Sequence, residues 1–240
     1  MFRNFTLEWN LHSVMSMKTF IITFFTVLFC LNSSVGYSQN IICEKTGYSC
    51  PEINFKDLVK RDGVYYKKFS DEPYTGKVTG LEQGSLKNGL KAGFWVKYFD
   101  NGQLYSKGHY KSNKLDGVWI YNHRNGQLHK KFHYKNNKVD GTFVNYYKNG
   151  NLHFKVNYNN DLKNGSWIKY WNNGQLGEKG NYKNNKREGS WVYYWDSGKL
   201  SSKGKYKNDK KEGYWITYGF DKEVVKQYSG TYKNGKKISD

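Results

Sequence analysis

The sequence predicts an all-β protein, an elongated ribbon of antiparallel β-hairpins repeated along the chain. Three observations carry this. A 24-residue period runs through the C-terminal two-thirds, Asn-Gly pairs recur between segments rich in aromatic and β-branched residues, and 25 Gly accompany only two Pro in 240 residues. Such a composition builds many tight turns between short strands rather than long helices. Aromatic residues make up 18% of the chain against 37% hydrophobic overall, so Tyr and Trp replace much of the usual aliphatic core.

The first element is a leader. Lys18 precedes an apolar run from Thr19 to Leu31, followed by the small and polar stretch Asn32 to Ser38. Basic, then apolar, then small is the order of a signal peptide, and the run falls short of the roughly 20 residues of a membrane span. Residues 1–38 are therefore expected to be removed, leaving a chain that begins at Gln39, is exported, and resides in the periplasm, on the cell surface or outside the cell. Met15 and Met17 each offer an alternative start with a more ordinary basic n-region. Residues 39–62 read as a lead-in containing Cys43 and Cys50. In an oxidising compartment these two pair as a small disulfide loop, the alternative being two free thiols.

The repeat itself is marked by Gly93, Gly117, Gly141, Gly165, Gly189 and Gly213, each 24 residues from the next. Two positions later stand Trp95, Trp119, Phe143, Trp167, Trp191 and Trp215, and five positions later Tyr98, Asn122, Tyr146, Tyr170, Tyr194 and Tyr218. A turn Gly follows nine residues after each start (Gly102, Gly126, Gly150, Gly174, Gly198), usually behind Asn, and then a Leu column from Leu104 to Leu200. Asn-Gly between β-formers predicts a two-residue type I′ turn, so each unit is one hairpin. The second strand ends in Tyr110, Tyr134, Tyr158, Tyr182 or Tyr206, and a polar turn leads to the next unit. Gly108, Gly180 and Gly204 are expected to leave room for a large ring from the adjacent strand, where Phe132 and Val156 fill the same slot. Residues 63–92 read as a shortened N-terminal repeat and 93–237 as six full repeats. The last is atypical, with Lys222 in place of the turn Gly, as befits a cap.

The pattern G-x-W-x-x-Y, N-G-x-L, K-G-x-Y-K-N-x-K-x-[DE]-G resembles the MORN repeat, specifically its bacterial variant, and Asp71 to Val78 resembles the entry segment of the YwqK-like proteins labelled antitoxins. The resemblance covers roughly residues 63–237. It implies a stacked hairpin solenoid, and roles in protein assembly, in attachment to membranes or phosphoinositides, or as a ribbon beside separate catalytic domains. The antitoxin label implies a toxin as partner, in the same compartment.

A formal net charge of +19, almost all of it beyond residue 38, favours anionic partners. One column, Lys107, Lys131, Lys155, Lys179 and Lys203, repeats two strands apart, at ~9.6 Å. With the tyrosines Tyr98, Tyr146, Tyr170 and Tyr194 it forms the candidate binding surface, for a protein or for an anionic polymer, glycan or headgroup layer. The competing reading is a solvated face copied by duplication. A second Lys column, Lys114, Lys138, Lys186 and Lys210, falls in the turns between hairpins, and so does an acidic column, Asp116, Asp140, Glu188 and Glu212, read as acceptors that stabilise those turns. Five of the six His lie between 109 and 153, but column partners ~9.6 Å apart cannot share a metal ion. Gly230 to Lys237 spells G-x-x-x-x-G-K without the Ser or Thr of a P-loop. No catalytic constellation is present, and the sequence predicts a binding or scaffold protein without enzyme activity or cofactor.

Overall fold

Strands begin at Glu52 and continue to Ser239 in the computed structural model, which describes residues 50–240. The expected leader and Cys43 lie outside the described residues, and with them the Cys43–Cys50 pairing; Cys50 itself is buried. Residues 52–240 form one unit, described here by itself.

Seventeen strands join in one sheet. From Gly76–Thr79 onward the pairing is an antiparallel meander in which each strand bonds to the one before and the one after. Typical strands are Leu90–Tyr98, Leu104–Lys111, Lys114–Asn122, Leu176–Lys183 and Lys186–Tyr194. Glu52–Asn54 adds in parallel to Gly76–Thr79, and Leu58–Arg61 with Val64–Lys67 make a separate hairpin. The shortened first unit keeps the register of the others: Val78 stands opposite Gly84 as Trp95 stands opposite Gly108. Gly230 to Ser239, the stretch resembling a P-loop, is a hairpin of two strands.

The two turns of the repeat are reversed from expectation. In the Asn-Gly turn only Gly102 has positive φ, 80°, and the pair Gly102 N to Phe99 O (3.0 Å) and Phe99 N to Gln103 O (2.8 Å) closes a three-residue loop with a bulge. The paired positive φ values of type I′ turns occur instead between hairpins, at Ser112-Asn113, Asn136-Asn137, Asn160-Asp161, Asn184-Asn185 and Asn208-Asp209. Asn and Asp enter the left-handed region readily, so two in a row serve where Asn-Gly was sought.

These turns also stitch neighbours together. Asn137 donates its backbone N–H to Leu115 O (2.9 Å), and its Oδ1 accepts from Leu115 N (2.6 Å). Asp161, Asn185 and Asp209 repeat the exchange with Val139, Lys163 and Arg187. Three of the four acidic-column residues accept from turn backbone as expected: Glu188 from Asn208 N (2.9 Å), Glu212 from Asn234 N (3.0 Å) and, more loosely, Asp140 from Asn160 N (3.4 Å).

The core lies on one face of the sheet, where indoles and phenol rings interlock edge to face. Tyr182 meets Trp191 at 5.2 Å between centroids and 86°, and Tyr206 meets Trp215 at 4.8 Å and 68°. Each such pair adds about 1 kcal/mol beyond the area it buries. Trp191 and Trp215 are 1% exposed, so the indoles are the true core of a thin sheet.

Their burial depends on a bulge at the start of each unit. Lys107 pairs with Ile120 and His109 with Asp116, so three residues, Gly117 to Trp119, face the single Gly108. A Cβ on Gly108 would collide with the Trp119 ring, and the same holds for Gly84 under Trp95, Gly180 under Trp191 and Gly204 under Trp215. The expected room for a ring is thus used by the next hairpin's indole. Each of these indoles donates Nε1–H to the carbonyl just beyond its glycine, as Trp119 does to His109 O (3.0 Å).

Candidate binding surface

Strand alternation puts residue 96 and its equivalents on the face opposite the tryptophans. Direct pairing then aligns one row across the array: Val96, Lys107, Ile120, Lys131, Val144, Lys155, Ile168, Lys179, Val192, Lys203, Ile216. Every second strand contributes a Lys, and every strand between contributes Val or Ile. Lys131, Lys155, Lys179 and Lys203 are exposed and Lys107 half-buried, while all six aliphatics are half-buried. None of the five lysines has a carboxylate within 4.0 Å among the described residues.

The structure thus gathers the predicted lysines into one line, with an aliphatic partner that their 24-residue spacing alone does not reveal. The tyrosines go elsewhere. Tyr98, Tyr146, Tyr170 and Tyr194 close their strands, half-buried, and their backbones anchor the loops: Tyr170 O accepts from the Tyr147 hydroxyl and Tyr194 O from Trp171 Nε1, both at 3.0 Å. They border the row rather than interleave with it. The turn lysines Lys114, Lys138, Lys186 and Lys210 are exposed.

One pair of histidines stacks, while His109 and His153 meet Phe94 and Tyr147 instead. His123 lies 4.2 Å from His129, and burial, then the His123 and Lys130 charges, push His129 below its ordinary pKa. Among the described residues no three metal-ligating side chains converge.

The tryptophan face carries two open grooves that sequence reading did not anticipate, of about 200 Å³ and 390 Å³. They are one site repeated four periods apart: Glu82, Lys91, Lys97, Ser106, Tyr110 and Trp119 in the first become Glu178, Arg187, Tyr193, Ser202, Tyr206 and Trp215 in the second. In the first groove Glu82 bridges Lys97 (2.7 Å) and Lys91 (2.9 Å), whose ammonium lies 4.0 Å from the Trp95 ring. Burial raises the Glu82 pKa, but hydrogen bonds from Lys97 and Lys91 outweigh it and hold the carboxyl below its usual range. Lys91 is also held low, because its burial outweighs its single carboxylate. Two ammonium groups thus share one carboxylate. Tyr110 beside it is pushed up to about 12 by burial and then by the Glu82 charge.

The second groove has lost that closure. Glu178 turns to Lys169 (2.9 Å) and Trp167 Nε1 (3.1 Å), and Tyr193 replaces the second Lys. Arg187 lies over the Tyr206 ring at 3.9 Å, donates to the Tyr206 hydroxyl (2.8 Å), and pairs with Asp209 (3.0 Å). Burial opposes its charge, but bonds to Tyr193 and Asp209 keep it above its ordinary pKa. Lys211 sits over Trp215 (4.6 Å) and Tyr232 (4.7 Å) with no carboxylate within 4.0 Å among the described residues. Burial, then Arg187, hold its pKa below the ordinary value. Trp171, Trp195, Ser201 and Ser202 complete the lining.

A sequence-family model described as MORN repeat variant matches residues 95–112, 115–136, 139–160, 163–184 and 187–208. No match is found among curated proteins.

Proposed function

Residues 95–208 belong to the MORN repeat variant family, and from that premise we propose that the chain is an exported, non-enzymatic scaffold that holds a protein partner against the face opposite its tryptophans. A repeat array of this kind is a binding module. The observation that supports this face is the row of Lys alternating with Val or Ile: the aliphatic stems and branches offer apolar area, and cations free of intramolecular carboxylates offer steering and register. The row is continuous from strand to strand and its lysines recur at ~9.6 Å, which suits an extended acidic segment laid across the strands.

The absence of carboxylates along the lysines supports a second reading, a polyanion held mainly by counterion release. Capture from the native cell envelope, with washes at low and then high salt, separates the two. One stoichiometric protein that survives high salt and is lost when Lys131→Gln, Lys155→Gln and Lys179→Gln are combined supports the scaffold. Heterogeneous anionic material shed by salt supports the second reading, and capture indifferent to the triple substitution sinks both. Export is tested by cell fractionation and by N-terminal sequencing of the mature protein, expected to begin at Gln39.

A further inference from the structure

We propose that the groove around Arg187 and Lys211 binds an acidic sugar, a pyranose ring bearing a carboxylate. Its walls are aromatic at the half-buried Trp171 and Trp195, surfaces on which the apolar face of a sugar ring packs, and the buried Trp215 closes its floor. Ser201 and Ser202 supply hydroxyls that both donate and accept, as sugar hydroxyls require. The volume, about 390 Å³, falls within the range of small-molecule sites.

Charge decides which sugar. Lys211 is partly desolvated over two rings and has no carboxylate within 4.0 Å among the described residues, so a ligand carboxylate gains a charge-assisted bond there. Arg187 is spent on Asp209 and the Tyr206 and Tyr193 hydroxyls; it fixes the wall and adds positive potential. The first groove is the internal control. There Glu82 is bonded to both Lys91 and Lys97 and the space is about 200 Å³, whereas Glu178, in the wall of the second groove, is bonded to Lys169 and Trp167 and not to Lys211.

The test is isothermal titration of the protein with glucuronate, glucose and acetate. Glucuronate is expected to saturate with a dissociation constant on the order of 1 mM, with glucose and acetate each about tenfold weaker. Lys211→Met should weaken glucuronate about tenfold, and Lys114→Met, at an exposed position outside the groove, should leave it unchanged. Because Lys211→Met also touches Trp215 and Tyr232, Trp171→Leu on the far wall gives an independent loss. Acetate binding as well as glucuronate, no saturable binding at all, or parental affinity in both Lys211→Met and Trp171→Leu overturns the proposal. Polygalacturonate, titrated into a variant that combines Lys107→Gln, Lys131→Gln, Lys155→Gln, Lys179→Gln and Lys203→Gln so that the lysine row does not contribute, separates the sources. Tighter binding than glucuronate assigns the site to a polysaccharide chain, and equal affinity per uronate assigns it to the free sugar.

Discussion

Two neighbouring units, one built on Gly180 and Trp191 and the other on Val156 and Trp167, show how much a single side chain redirects. At Gly180 the bulge sets Gly189 to Trp191 against one glycine, the indole lies over its Cα, and Nε1–H reaches Asn181 O at 3.2 Å. At Val156 the isopropyl group occupies that space. Val156 pairs directly with Trp167, the bulge moves one residue along to face Asn157, and the indole N–H goes to Glu178. Glu178 is then committed to Trp167 and Lys169, and Arg187 is left to Asp209 and the tyrosines. One valine is thus coupled, through an indole and a carboxylate, to the open groove two strands further on. The contrast teaches that the repeats are interchangeable in backbone but not in where their polar atoms point.

The largest expected effect comes from forcing the regular unit to resemble the irregular one. Gly180→Val drives a branched side chain into the rigid Trp191 ring, with a loss of about 3 kcal/mol in urea unfolding. A loss below about 1 kcal/mol would mean that the bulge relocates freely.

The reverse change, Val156→Gly, removes a fully buried side chain and adds backbone freedom, at about 2 kcal/mol, part of it recovered if Trp167 settles over the new glycine. Its sharper readout is structural. The Trp167 indole N–H should move to Asn157 O, releasing Glu178 toward Arg187 and weakening glucuronate binding. An unchanged indole resonance would break the proposed coupling.

The smallest effect separates the two grooves by pH. Glu82 has its folded pKa depressed, so the stability it contributes is present above its unfolded value near 4.3 and is lost as pH falls through the lower folded value. Glu82→Gln should flatten the acid limb of the stability profile below about pH 4, measured as urea midpoints from pH 7 to pH 2. A parental limb in that variant would remove Glu82 as its source.

Much of this was legible in the sequence because a 24-residue period reports every position several times over. The hairpin unit, the aromatic core column, the glycine slots and the turn-capping acids follow from residue type and spacing. The turn types did not. Asn101-Gly102 and Asn136-Asn137 both tolerate positive φ, and only the hydrogen-bond closure distinguishes a bulged loop from a type I′ turn. The Val and Ile between the lysines were equally present, but the register that brings Ile120 between Lys107 and Lys131 is set by bulges, which no alternation rule locates. The grooves were hidden for a similar reason, since Arg187, Tyr193 and Lys211 occupy columns with no fixed residue type.

The reciprocal bonds made by Asn137, Asp161, Asn185 and Asp209 all span 22 residues of chain. These links between neighbouring hairpins are therefore all of one short length, and adding repeats does not lengthen the search for any of them. Loop-closure entropy grows only as the logarithm of that span, and low contact order speeds folding. Assembly can start at any hairpin and spread in both directions, so a nascent segment of two or three units has every partner it needs before the rest is synthesised.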